Sequence, residues 1–171
     1  MESGSLSTQL EVIKPEQAAD VAAMARLIWP AAYRDIISTE QIDFMLGWMY
    51  TPETIAREIT EKNIRYFWIE VEKEKIGFLA VGPFSQGNRA FLHKCYVLPK
   101  YHGQGIGSGA LEQLTDMLRE LPVPELELRV NRNNSAAIGF YQKGGFLIVA
   151  EDKADIGNGY VMDDFIMRVS L

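Results

Sequence analysis

The sequence predicts an α/β fold: one mixed, mostly antiparallel sheet flanked by helices, with residues 1–171 in a single domain. Three observations lead there. Apolar periodicities follow one another as strand, helices, three strands, helix, strand, helix and two strands. A glycine-rich turn, residues 101–107, joins a strand pattern directly to a helix pattern. No linker, internal repeat or low-complexity tract divides the chain, and 171 residues suffice for one full hydrophobic core.

Leu10, Val12 and Ile13 read as a first strand, which Pro15 closes. From about Glu16, the spacing of Val21, Met24, Ala25 and Ile28 predicts a helix. Trp29-Pro30 interrupts or kinks it, because proline lacks the amide proton. Ser38-Thr39-Glu40 opens a second helix, with Ile42, Met45, Leu46 and Met49 inward. Thr51 caps a third, with Pro52 in its first turn. Residues 65–71 and 76–81, joined by the polar turn 72–75, form an antiparallel hairpin. Residues 83–88 are a loop, and residues 91–97 a strand that Pro99 stops. Ile106, Ala110, Leu111, Leu114, Met117 and Leu118 form a helical stripe, ended by Pro122 and Pro124. Leu126, Leu128 and Val130 alternate with Glu125, Glu127 and Arg129 as a strand with one polar face. Residues 134–143 form a short helix that Gly144-Gly145 stops. Residues 146–150 and 160–169 are the last strands, connected through the polar stretch 151–159.

Seventeen basic and 23 acidic residues give a formal charge of −6. A general nucleic-acid binder needs a basic footprint, so that class is excluded, while a cationic substrate is compatible. Cys95 is the only cysteine, which excludes an intrachain disulfide and a cysteine-based zinc cluster and suits the cytosol. Residues 1–6 lack the basic and apolar regions of a signal peptide. No segment approaches the roughly 20 apolar residues that span a bilayer. The expectation is a cytoplasmic protein without nucleic-acid or membrane partners.

The turn reads Tyr101-His102-Gly103-Gln104-Gly105-Ile106-Gly107. Backbone N–H groups at a strand-to-helix turn can surround a phosphate, and the helix start favours its charge. Its glycines permit positive φ and close approach, although an ordinary tight turn uses them equally. A dinucleotide fingerprint belongs early in a βαβ unit, whereas this motif follows a hairpin. A P-loop needs a Gly-Lys-Ser/Thr ending, which is absent. Further on, Asn134 precedes the run Phe140-Tyr141-Gln142-Lys143-Gly144-Gly145-Phe146.

This order and these motifs resemble the Gcn5-related N-acetyltransferase superfamily over nearly the whole chain, most strongly from Leu92 to Phe146. Residues 92–109 are similar to its small-molecule and polyamine branch. The resemblance implies an N-acyltransferase fold, acetyl-CoA as co-substrate, no metal, and a small-molecule amine as acceptor. The family's phosphate motif, Arg/Gln-x-x-Gly-x-Gly/Ala, corresponds to His102-Gly103-Gln104-Gly105-Ile106-Gly107. Gly105 and Gly107 match. His102 departs from the first position, which removes an Arg or Gln side chain and leaves the backbone amides. The second signature runs from Asn134 through Ala137 to Tyr141 and ends in Gly145-Phe146. It implies that Asn134 and Ala137 meet the cofactor arm and that Tyr141 protonates the departing thiolate. The backbone of Val97 and Leu98 is implied to face the thioester carbonyl, where an N–H stabilises developing oxyanion charge. Lys143, at a helix end, is implied to approach the cofactor nucleotide.

Each candidate has a plainer reading. Tyr141 beside Phe140 can simply pack; as an acid, a tyrosine of pKa near ~10 is protonated at neutral pH. Phe91 stands where many relatives have a glutamate base. His93 is expected on the same face as Phe91 and Cys95, as base, positioning residue or structural histidine. His102 borders the phosphate. Cys95, in an apolar strand, reads as packing, without the base that an activated nucleophile needs. Trp29 and Tyr33 are four apart and share a helix face, so they are candidates for the acceptor pocket among core aromatics.

The expected reaction is acetyl transfer from acetyl-CoA to a primary amine, such as a polyamine or an amino-acid-like amine. Two other readings stay open. One is acetylation of a protein N-terminus or lysine, which an open groove would favour over an enclosed acidic pocket. The other is non-catalytic acyl-CoA binding. Related sheets often pair through late strands or helices, so a homodimer is compatible; Tyr160, Met162, Phe165 and Met167 serve a core equally well.

Overall fold

In the computed structural model, which describes residues 6–84 and 88–171, seven strands form one sheet. They are β1 (Thr8–Val12), β2 (Arg65–Val71), β3 (Glu74–Val81), β4 (Ala90–Val97), β5 (Glu125–Asn131), β6 (Leu147–Gly157) and β7 (Tyr160–Ser170). Their order is β1-β2-β3-β4-β5-β7-β6, and only β4 and β5 run parallel. Residues 1–5, and 85–87 of the expected loop, lie outside the described residues.

Helices cover both faces. On one side lie α1 (Ala18–Tyr33), α2 (Thr39–Met49) and α3 (Pro52–Glu61), over Tyr66, Trp68 and Phe78. On the other lie α4 (Ile106–Arg119) and α5 (Ser135–Lys143), over Phe67, Ile69 and Leu79. Adjacent residues of β2 therefore enter opposite cores, which explains its unbroken apolar run. No helix among the described residues is long and apolar enough to cross a membrane.

Three expectations change. Helix α1 continues through Pro30 to Tyr33, because Ile28 and Trp29 are anchored in the core and outweigh the missing amide bond. The β2–β3 turn narrows to Glu72-Lys73, both at positive φ, the shape that matches strand twist in a two-residue hairpin. Residues 151–157 are strand rather than connection, and the β6–β7 turn is only Asn158-Gly159. Residues 147–151 of this edge strand are exposed and burial alternates only from Asp152 onward, but the charged, glycine-containing composition of 151–159 reads as a connection.

The decisive local feature is in β4. Leu92 pairs with Val81 and Lys94 with Ala80, so His93 is an inserted residue, a β-bulge. Leu92 and Cys95, three apart, consequently pack on the same α4/α5 face, while Lys94 and Tyr96 turn toward α1–α3. The expectation that Phe91, His93 and Cys95 share one face fails, because the bulge resets the alternation. β4 pairs with β5 only from Ala90↔Leu126 to Leu92↔Leu128, and beyond that the two strands part.

Gly77 lies directly under the Tyr96 carbonyl, where an added Cβ would collide with main chain on both Tyr96 and Val97. We expect Gly77→Ala to destabilise the protein by about 1–3 kcal/mol, as overpacking does. Urea denaturation of the two proteins measures it, and equal midpoints would contradict the close approach.

Candidate active site

The first wall of the site is the start of α4. Gly103 and Gly105 adopt φ of 76° and 75°, and a Cβ on either would meet nothing within 4 Å. Both therefore border open space. Helices α2, α3 and α5 are capped by Ser38, Thr51 and Asn134, each side chain accepting an N–H at 3.1 Å. Helix α4 starts on Gly105 with no side-chain cap. Its first-turn N–H groups remain available, and with the helix dipole they suit a bound pyrophosphate. A Cβ on Gly107 would press the Phe140 ring at 3.3 Å, so glycine lets α4 and α5 close together.

These elements enclose a groove of about 590 Å³. Of the residues expected at the cofactor, Val97, His102, Gly103, Gly105, Ile106, Gly107, Asn134, Ala137 and Tyr141 line it. Leu98, Gln104 and Lys143 do not. The Leu98 N–H donates to the Ile76 carbonyl at 2.8 Å, and its side chain packs toward α1–α3. Alternation of the β3–β4 ladder then turns the Val97 N–H away from β3, into the gap beside β5. Gln104 is exposed and donates to the Lys100 carbonyl at 3.2 Å. Lys143 is exposed at the end of α5. The His102 ring donates Nε2–H to the Val97 carbonyl at 2.8 Å, so it folds back over the end of β4.

A second cavity, of about 290 Å³, lies on the α1–α2 side. Trp29 and Tyr33 line it, their ring centroids 4.5 Å apart, and His93 lines it too. The Tyr33 and Tyr96 hydroxyls are hydrogen-bonded at 2.9 Å. The β6–β7 tip leans on α2: Gln41 Nε2 donates to the Val161 carbonyl at 3.1 Å, and Phe44 packs on Tyr160. This contact roofs the cavity. Cys95, Tyr96, Asn134, Ala137 and Tyr141 belong to the walls of both cavities, so the two spaces meet there.

Burial sets the protonation states at this junction. It raises the pKa of Tyr33, Tyr96 and Tyr141 and keeps all three protonated. It also pushes the Cys95 thiol up to about 12, with the Tyr141 hydroxyl working against it. His93 places Nε2 at 2.7 Å from the Gly82 carbonyl, so that nitrogen bears the hydrogen and Nδ1 is the acceptor. Desolvation lowers the His93 pKa, leaving a neutral imidazole at neutral pH.

Sequence reasoning missed Lys94, Tyr96 and Asp164. Lys94 is 4% exposed, with Nζ at 3.1 Å from both Glu58 carboxylate oxygens and a further bond to the Tyr66 hydroxyl. Desolvation lowers its pKa, and Glu58 works in the opposite direction. Lys94 and Tyr96 were hidden by the bulge. Asp164 had a visible signal: adjacent aspartates in a strand, Asp163-Asp164, must point to opposite faces.

The model of the acetyltransferase (GNAT) family matches residues 22–146. The spermidine N(1)-acetyltransferase of Thermoplasma acidophilum is 26% identical over 154 residues, covering 88% of this chain and 94% of that protein. The crystal structure of the PaiA N-acetyltransferase from Thermoplasma acidophilum in complex with coenzyme A superposes with a TM-score of 0.80. The two are 25% identical, over 97% of this chain and 100% of that one. A GCN5-related N-acetyltransferase from Rhodopseudomonas palustris shares the fold, with a TM-score of 0.79 at 19% identity over 100% and 99% of the chains.

Two outcomes follow from the buried groups. With its pKa raised from 9.0 to about 12, Cys95 should react with a thiol reagent at pH 8 about a thousandfold more slowly than in the unfolded chain. Comparable rates with and without denaturant would contradict this burial. Glu58→Gln leaves the Lys94 ammonium buried without its counter-charge and should cost about 3 kcal/mol, read by denaturation.

Proposed function

We propose a specific chemistry for this chain, which belongs to the acetyltransferase (GNAT) family: acetyl transfer from acetyl-CoA to a small primary amine of the polyamine type. The observation that carries the reading is the shared wall. A donor held in the α4 groove and an acceptor in the aromatic cavity meet at Cys95, Tyr96, Asn134, Ala137 and Tyr141. Bringing the two reactants together in this way supplies much of the acceleration.

When bound, acetyl-CoA supplies the activated acetyl thioester. The uncapped start of α4 and the open backbone at Gly103 and Gly105 hold its pyrophosphate. Asn134 Oδ1 caps the Ala137 N–H, which leaves the amide NH₂ to donate to the cofactor arm. The Val97 N–H receives the thioester carbonyl oxygen and stabilises the charge that develops there. His102 steadies this end of β4 by holding the Val97 carbonyl. Tyr141, kept protonated by burial, donates its proton to the departing thiolate. The acceptor enters as an ammonium and must lose a proton before it attacks. His93 Nδ1 takes that proton, directly or across one water. Because its pKa is lowered from 6.5, the rate should already be rising with pH below 6.5.

The roof formed by α2 and the hairpin tip supports a small acceptor over a protein N-terminus or lysine, which would need an open groove. A narrow aromatic chamber also suits a cationic chain. The spermidine N(1)-acetyltransferase of Thermoplasma acidophilum, similar along nearly its whole length, supports the same substrate class.

The test is thiol release from acetyl-CoA across a panel of spermidine, spermine, amino acids and short peptides, with products identified by mass spectrometry. Acetylated polyamine is expected. Acetyl-CoA binding without turnover on any amine would point instead to a binding protein. Tyr141→Phe should lower kcat by about 10²–10⁴ while leaving the KM for acetyl-CoA nearly unchanged. A full rate in that variant would remove Tyr141 from its assigned role.

A further inference from the structure

Asp164 lies on β7, opposite Asn131 of β5 and Asp152 of β6, and its side chain lines the acceptor cavity. It is 4% exposed. The other charged side chains on that wall are matched. Lys94 pairs with Glu58, Glu127 with Arg168 at 2.7 Å, and Arg129 with Asp152. Among the described residues, Asp164 has no ion-pair or hydrogen-bond partner for its carboxylate. Its oxygens are not sealed off, so the carboxylate opens on the cavity, where a cationic ligand would supply the counter-charge it lacks. Desolvation and the neighbouring Asp152 and Asp163 hold its pKa above the ordinary carboxylate range, while Arg129 opposes them. Asp164 lines the acceptor cavity only and does not border the donor groove. It therefore faces the acceptor's space and not the donor's.

The geometry points to Asp164 as the anchor for a second, non-reacting ammonium of the acceptor, so that the cavity selects di- and polyamines over monoamines. This rests on the reading of the chain as an amine acetyltransferase and adds a residue that sets its substrate range. The anchored ammonium keeps its proton, and the other end of the molecule reaches Tyr141. Asp164 is thus a specificity residue and not the base.

The experiment compares wild type, Asp164→Asn and Asp164→Glu with two acceptors, spermidine and hexylamine. Asp164→Asn should raise the KM for spermidine by about 10–100-fold, the scale of a lost charge-assisted bond. Its kcat, its KM for acetyl-CoA and its kinetics with hexylamine should stay unchanged, and Asp164→Glu should recover part of the loss. The thermal midpoint of Asp164→Asn should not fall, because an uncompensated charge has been removed. An unchanged spermidine KM, or equal losses on both amines, would overturn the anchor. Calorimetric titration of spermidine into each protein saturated with coenzyme A gives an answer independent of turnover. If wild type acetylates neither amine, the transfer reading falls. In that case, loss of spermidine binding in Asp164→Asn would still uphold the anchor, and absence of binding to wild type would overturn it.

Discussion

The arrangement depends on how briefly β4 and β5 stay together. Parallel strands normally continue as long as both have residues to pair, yet here pairing stops after Leu92↔Leu128. The bulge at His93 re-aims the rest of β4, and the strands separate. Separation leaves main-chain donors unsatisfied in the middle of a sheet, which is costly unless something else binds them. The starts of α4 and α5 both arrive at that gap, and the α4 donors are themselves uncapped. The same break that weakens the sheet thus creates a polar slot lined by backbone.

The two cores on either side of the sheet make this tolerable. On the α4/α5 face, Ile106, Leu111, Leu114 and Phe146 share one buried core with Leu92 of β4 and Leu128 of β5. On the α1–α3 face, Trp29, Tyr50, Phe78 and Tyr96 form a connected aromatic cluster, with ring centroids 5.2–6.3 Å apart between neighbours. Flat rigid rings define a cavity wall with little conformational freedom, so the chamber is shaped before any ligand enters. Beneath it, the Lys94–Glu58–Tyr66 network ties β4 to α3 and β2, fixing the bulged strand from below.

Legibility in the sequence followed how local each cause is. The Thr51 cap, the helix start at Ser38, the glycines at 103 and 105, and the turn after Lys143 act within a few residues and could be read directly. So could the element order and the two motifs that meet at the groove. The bulge at His93 could not, because it is decided by which residue of β3 faces which residue of β4. Its consequence reached three side chains, misplacing His93 relative to Cys95 and concealing Lys94 and Tyr96. Leu98 was misjudged for a related reason, since which amides a strand offers outward depends on its ladder phase. The full length of β6 was invisible because the charged, glycine-containing run 151–159 has the composition of a connection, although its burial alternates. Pro30 suggested an interruption that the buried Trp29 overrides.

Much of the wall that receives the acceptor comes from stretches of chain, α2 and the β6–β7 tip, that take no part in the donor groove. Trp29, Tyr33, Gln41, Tyr50, Val161 and Asp164 surround the first, whereas Val97 through Ser108 form one wall of the second and Ile28, Ala31 and Ala32 of α1 contribute to another. Overlap is confined to β4 and α5. Substitutions in α2 or the hairpin tip can therefore redraw one chamber while leaving the other intact. Such a division lets a lineage trade one acceptor for another in small inherited steps, each ancestor still able to load its acyl donor.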